Sequence, residues 1–320
     1  KKLNPTDALL HSKARVLVTG AGGFIGSALI HALNQRGIDQ IVVTDCLGED
    51  EKWRNLLPLS FEDYVPAQEF LDGIESDPDT FGRFAAVFHL GACSSTTVTD
   101  ADFVLRNNFA YTKSLCRWAL FSGSRFVYAS SAATYGDGSA GMDDKSTDLS
   151  RFRPLNLYGY SKHLFDLYAM REGILDDIVG IKYFNVFGPR QDPASPYSGV
   201  ISIFARRHRE GKPVIVHGDG SQTRDFISVH DVARANLLAA TAPAMTSGVA
   251  NICTGRATSL LDINGVFARH YAAAPPAVHA APRTGDISHS LGAPEHAAAA
   301  LGFRAQVSVD IGLAELIGKG

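Results

Sequence analysis

The stretch that decides the fold is Arg15-Val16-Leu17-Val18-Thr19-Gly20-Ala21-Gly22-Gly23-Phe24-Ile25-Gly26. An apolar, β-branched segment runs into glycines spaced three apart, Gly20, Gly23 and Gly26, and then into an apolar helical pattern. A strand that turns so sharply into a helix needs residues without a Cβ where the chain doubles back. The turn also aims a helix N-terminus, with its unpaired N–H groups and positive dipole end, at the space above the strand, and a pyrophosphate suits that field. Glycine-rich turns also occur as plain tight turns, so the reading depends on what surrounds this one.

Working outward, short buried strands are predicted over residues 15–19, 41–44, 85–90, 125–129 and 179–184, and helices over 24–36, 102–122 and 158–172. Strand and helix alternate, which predicts an α/β fold: a doubly wound, parallel Rossmann-type sheet covered on both faces. After Asn185 the chain turns to loops marked by Pro and Gly, beginning at Gly188-Pro189-Arg190. The expected organisation is an N-terminal extension over 1–14, a dinucleotide-binding domain over 15–187, and a smaller, discontinuous substrate lobe over 188–320. Residues 214–217 and 249–253 still read as buried strands, so segments of that lobe are expected to return to the main sheet. The Ala-rich run 297–300 suits a helix.

Composition narrows the function classes. With 45% hydrophobic and 20% charged residues the 320-residue chain can bury a large core, and a net charge of -3 gives no reason to expect nucleic acid. Cys46, Cys93, Cys116 and Cys253 are widely spaced, so neither a metal site nor a disulfide framework is expected, and a reducing, cytoplasmic setting fits. No apolar run of about 20 residues appears, so no membrane span is expected.

Asp45 ends the second predicted strand, where a carboxylate can accept hydrogen bonds from the hydroxyls of an adenosine ribose. That favours NAD. NADP is the alternative, because Lys52 and Arg54 follow and can meet a 2′-phosphate; beside Glu49, Asp50 and Glu51 they read first as solvated charges. Farther on, Tyr158 and Lys162 stand four apart and share one face of a helix. A tyrosine is a poor base at neutral pH, but a neighbouring ammonium stabilises its phenolate. Ser131 closes a strand at the edge where open α/β sheets hold ligands and can hydrogen-bond a substrate hydroxyl or the carbonyl it becomes. Ser131, Tyr158 and Lys162 are therefore the expected alcohol-oxidation site. His89 reads as a satisfied core residue rather than a ligand, and Tyr135 and Tyr160 are expected to pack near the cleft.

The glycine turn, Asp45, the serine strand end and Tyr158-Gly159-Tyr160-Ser161-Lys162, in this order, resemble the extended short-chain dehydrogenase/reductase superfamily and its nucleotide-sugar epimerases. Gly91-Ala92-Cys93-Ser94-Ser95-Thr96-Thr97, Ala129-Ser130-Ser131-Ala132-Ala133-Thr134-Tyr135-Gly136 and Pro154 through Lys162 are similar to ADP-glycero-manno-heptose 6-epimerases, and Asp63-Tyr64 through Phe70-Leu71 extends the likeness. The second half resembles UDP-hexose 4-epimerases, at Gly188 through Pro193, Gly218 through Phe226 and Pro282 through Ile287. The resemblance implies that Gly20, Gly23, Phe24, Ile25, Gly26, Asp45, Cys46, Asp63, Leu90, Gly91, Ala92, Asn108, Tyr158 and Lys162 hold the cofactor. It implies a substrate site of Ser94, Ser131, Asn185, Val200, Val216, Arg224 and Arg283. The two arginines suit a diphosphate, since guanidinium groups present forked donors; Arg224 can instead pair with Asp225 or Asp231. A homodimer through the helices 102–122 and 158–172 is also implied.

The expected activity is epimerisation of a nucleotide sugar by transient oxidation to a keto-sugar. Heptose epimerases carry a second catalytic lysine after the Gly-Pro pair, and residues 190–197 here contain none, which favours a UDP-hexose 4-epimerase over an ADP-heptose 6-epimerase. A 4,6-dehydratase would need an acid and a base after the serine, where this chain has Ala132 and Ala133. A catalytically silent sensor of NAD(P) and sugar nucleotide is the alternative of another class.

Overall fold

The computed structural model describes residues 10–49, 51–145, 148–192, 199–243, 248–271, 275–282 and 287–318. Its strands are β1 (Val16–Thr19), β2 (Ile41–Asp45), β3 (Asp63–Pro66), β4 (Ala86–His89), β5 (Arg125–Ser131), β6 (Ile178–Tyr183), β7 (Asn185–Phe187), β8 (Ile215–His217), β9 (Thr223–Ser228), β10 (Val249–Ile252), β11 (Ala257–Ser259), β12 (Val278–Ala280) and β13 (His289–Ser290). Seven of them form one sheet in the order β10-β6-β5-β4-β1-β2-β3. Every pairing in it is parallel.

Successive residues of a strand face opposite layers, and both layers here are apolar. Val16 and Val18 of β1 pack into a core with the helices Phe24–Asn34 and Val229–Thr241. Leu17, between them, enters the other core, with Phe70, Leu115, Trp118, Phe126 and Phe165. Burial on both faces explains why the strands read as continuous hydrophobic runs rather than alternating ones. The chain is a doubly wound Rossmann-type α/β fold, as the sequence predicts. The order reverses between β1 and β4, so their C-terminal ends open the crevice in which such sheets take ligands.

The small lobe has its own sheet of β11, β9 and β13 with β7 pairing β9, a two-stranded sheet of β8 and β12, and a core around Phe187, Phe204, Phe226 and Phe267. Of the two segments expected back in the main sheet, only 249–252 returns, as β10 beside β6. The other, β8, pairs with β12 in a separate two-stranded sheet of the small lobe. The helix expected over 102–122 is also interrupted: Ala101–Leu105 and Tyr111–Phe121 are joined by one π-helical turn, Arg106–Ala110. Among the described residues no helix is long and apolar enough to cross a membrane, and no cluster of metal-ligating side chains occurs.

Candidate active site

The glycine turn lies at the C-terminal end of β1. Gly20 has φ +67°, and a Cβ on it would come within 2.7 Å of the Gly91 backbone; a Cβ on Gly26 would stand 2.1 Å from the Gly20 carbonyl oxygen. Turn, helix and the loop after β4 are thus in direct backbone contact. The helix begins at Gly23 with no side-chain cap and no acidic residue in its first turn. No acidic side chain of the helix itself competes for its N-terminal N–H groups, which suits a dinucleotide pyrophosphate.

Asp45, at the end of β2, is buried and points at this turn: its Oδ2 accepts the Gly22 N–H at 2.8 Å, and its Oδ1 accepts from Lys52 Nζ at 2.9 Å. Lys52 is therefore not the solvated charge first read for it. Asn55 donates to the Gly22 carbonyl at 3.0 Å and Arg190 to the Asn55 carbonyl at 3.2 Å, tying the start of the small lobe to the turn. Cys46 is exposed beside Asp45. Asp63 is not brought to this edge. It is paired in register with Val42 at the N-terminal end of β3, whereas the residue level with Asp45 is Pro66.

Behind the turn runs a chain of hydrogen bonds that only the folded molecule reveals. The Thr19 hydroxyl accepts the Leu90 and Gly91 N–H groups and lies 2.8 Å from His89 Nδ1. His89 Nε2 lies 2.7 Å from the Thr112 hydroxyl, which donates to the Asn108 carbonyl. Those bonds require a neutral imidazole with its proton on Nε2. Burial, helped by the charge of Lys162, holds its pKa well below the usual histidine value. The satisfied-core reading of His89 fits this geometry. Asn108, at the centre of the π-helical turn, bonds both backbone groups of Cys93 and the Ser161 hydroxyl, and so joins the loop carrying Ala92 and the exposed Ser94 to the helix of Tyr158. A π-bulge beside a ligand site is a recurrent device.

Ser131 closes β5, and its hydroxyl accepts from the Ala133 N–H at 3.1 Å. The helix Leu157–Arg171 carries Tyr158 and Lys162, and begins at Asn156, whose side chain accepts the Gly159 N–H. A Cβ on Gly159 would fall 2.6 Å from the Ala133 carbonyl oxygen, so glycine there lets the helix settle on the turn after Ser131. Burial raises the pKa of Tyr158, and a hydrogen bond with Ser131 works against that rise. Burial lowers Lys162 to about 8, opposed by the charge of Asp166. Lys162 thus remains mostly an ammonium at neutral pH, next to a tyrosine that ionises only with help. Such a serine, tyrosine and lysine can take a proton from a hydroxyl that is being oxidised, and return it.

On the substrate side, Asn185 donates to the Asp225 carbonyl at 3.2 Å, and Arg224 on β9 donates to the Thr223 carbonyl at 2.9 Å. Asp225 accepts from Thr254 and Gly255, and Asp231 from Arg234, Gln306 and Val307. Val200 opens the helix Val200–Arg209. The Val216 side chain is fully buried in the small-lobe core, so it does not line the cleft. Tyr135 is likewise core, against Phe152 with its hydroxyl on Asn251, while Tyr160 is 45% exposed. Arg283 and residues 193–198 lie outside the described residues.

Comparison with known proteins identifies the family and the fold. The model of the NAD dependent epimerase/dehydratase family matches residues 16–253. An ADP-L-glycero-D-manno-heptose-6-epimerase of Nitratidesulfovibrio vulgaris strain Hildenborough is 44% identical over 254 residues, covering 77% of this chain and 78% of that protein. The crystal structure of UDP-glucose 4-epimerase with UDP-glucose from Thermotoga maritima superposes with a TM-score of 0.81 at 28% identity, over 95% of this chain and 97% of that one. The UDP-N-acetylglucosamine 4-epimerase of Methanobrevibacter ruminantium, in complex with UDP-N-acetylmuramic acid, gives 0.81 at 27% identity, over 96% and 99%.

Proposed function

The chain belongs to the NAD dependent epimerase/dehydratase family and is a nucleotide-sugar epimerase, and from that premise we propose that it interconverts UDP-hexoses at C4. The observation that carries the choice is the single base and its lysine, Tyr158 and Lys162 beside Ser131, with no lysine anywhere in residues 183–211. One base suffices for a 4-keto sugar that turns over in the cleft, because the same tyrosine serves both faces.

In this reading Ser131 hydrogen-bonds the C4 oxygen while Tyr158 removes its proton, and Lys162 keeps the phenolate charge balanced. NAD, when bound, supplies the hydride acceptor and donor, so that oxidation and reduction cancel over one turnover. The uncapped helix start at Gly23, the Gly20–Gly91 contact and Asp45 fit its pyrophosphate and ribose. Arg224 and Asn185 would hold the substrate diphosphate. Ala132 and Ala133 leave no carboxyl group beside Ser131 to remove water from the sugar, which speaks against dehydration.

A second reading is supported by the 44% identity to the N. vulgaris protein: 6-epimerisation of an ADP-heptose. Incubating the purified protein with UDP-glucose, UDP-N-acetylglucosamine and ADP-heptose, with products identified by NMR, separates the two. Conversion of a UDP-hexose is expected; conversion of ADP-heptose alone overturns the choice. Binding of NAD and sugar nucleotide with no epimer formed would leave the sensor reading in its place.

A further inference from the structure

Lys182 and Asp166 are a charged pair sealed inside the molecule, with exposures of 1% and 0% and Nζ 2.6 Å from Oδ2. Taking both charges out of water is costly, and such a pair is weak support for stability by itself. Its other partners show what it touches. Asp166 lies on the helix Leu157–Arg171, four residues after Lys162 and eight after Tyr158, so all three share a face. Its Oδ1 accepts from the Tyr128 hydroxyl at 2.9 Å and its Oδ2 from the Ser130 hydroxyl at 2.8 Å. Lys182, opposite Ser130 in the β5–β6 register, donates to Thr134 Oγ1 at 2.6 Å, and the Thr134 hydroxyl donates to the Ser131 carbonyl at 2.7 Å. The network therefore grips Ser131 from both sides in the chain, through Ser130 and through Thr134, and fastens it to the helix of the tyrosine and the lysine.

We propose that Asp166 and Lys182 are positioning residues of the active site: together they hold Ser131 in register with Tyr158, and Asp166, one turn beyond Lys162 on the same helix face, sets a carboxylate behind its ammonium. The charged and titratable groups around Lys162 are Tyr158 and Asp166 on its own helix and His89 on β4; those around Asp166 are Lys182 on β6, Tyr128 on β5, Tyr135 after β5, and His163 and Lys162 on its own helix. Of these, Asp166 is the acid that opposes the effect of burial on Lys162.

The test compares wild type with Asp166→Asn, both loaded with NAD, by following the 13Cε resonance of Lys162 through a pH titration, the resonance being assigned by its loss in Lys162→Arg. The midpoint in Asp166→Asn should fall by on the order of one pH unit, since a facing carboxylate is lost; an unmoved midpoint overturns the proposal. If Asp166→Asn does not accumulate as folded protein, Ser130→Ala removes one donor of the same network. It should lower kcat for UDP-glucose and UDP-galactose interconversion about fivefold with KM unchanged, the effect of about one hydrogen bond; an unchanged kcat per NAD-loaded site overturns the proposal. The kinetic arm rests on the proposed 4-epimerase reaction, and a wild type inactive on these sugars sinks that reaction while the titration still judges the pair.

Discussion

Asp45 holds two donors at once, the Gly22 N–H at 2.8 Å and Lys52 Nζ at 2.9 Å, so the residue placed to bind a ribose is already neutralised by a lysine. A ribose hydroxyl can join this arrangement, and a 2′-phosphate would find the lysine but also the carboxylate. Lys52→Ala should therefore weaken NADP binding about tenfold, the effect of one charge-assisted hydrogen bond, and NAD binding no more than about twofold. Calorimetric titration with both cofactors checks this. Equal losses for the two would mean that Lys52 acts only through Asp45.

Removing the proposed proton acceptor tests the reaction directly. Tyr158→Phe should reduce kcat by about 10²- to 10⁴-fold, the usual worth of general acid–base catalysis, with little change in NAD binding. Ser131→Ala should have a smaller effect of the same kind. A Tyr158→Phe protein with full activity would remove tyrosine from the mechanism.

The pH dependence follows from Lys162, whose pKa burial lowers to about 8. Turnover should fall as pH rises through that value, because the ammonium beside Tyr158 is lost. The stability linkage has a definite sign: the folded value lies below the unfolded one of about 10.4, so between them the unfolded chain binds more protons and rising pH stabilises the fold at this site. Wild type should gain stability relative to Lys162→Met between those two pH values, measured by urea denaturation. A constant difference across that window would contradict the lowered value.

Gly26 has no room for a side chain. A Cβ there meets the Gly20 carbonyl oxygen at 2.1 Å, a backbone atom that cannot swing aside. Gly26→Ala should abolish NAD binding and cost about 1–3 kcal/mol of stability from overpacking, read by thermal melting with and without NAD. Wild-type affinity in this variant would show that the turn can relax.

Phe121 is 79% exposed at the end of the helix Tyr111–Phe121, and Phe103 is 44% exposed on the helix that precedes it. These are the helices through which the family resemblance implies a dimer. Light scattering should give the mass of two chains, and Phe121→Asp should shift the balance towards one. A monomeric wild type would dismiss the pairing.

Local pattern carried far in this protein. The five short apolar runs became five neighbouring strands of the main sheet; Ser131, at a strand end, hydrogen-bonds Tyr158, and Lys162 lies one turn further on the helix of Tyr158. The direction of β3 takes Asp63 away from the crevice, because it opens the strand while Pro66 stands level with Asp45. Val216 failed because alternation on a three-residue strand leaves its inward side undecided until the small lobe is assembled. Lys182 carries a signal of its own: a lysine inside the apolar run Ile178–Tyr183 is buried with the strand, and a buried ammonium requires a partner.

What the sequence determined by itself is whatever depends on neighbours a few residues apart: the glycine turn, the alternation of strand and helix, and the four-residue spacing of Tyr158 and Lys162. The tertiary structure alone decided which distant groups share a charge or a proton. Lys52 with Asp45, His89 between Thr19 and Thr112, and Lys182 with Asp166 are contacts made across the sheet or the cleft. Their energies depend on burial and on distances of a few ångströms, and those exist only once the layers have packed.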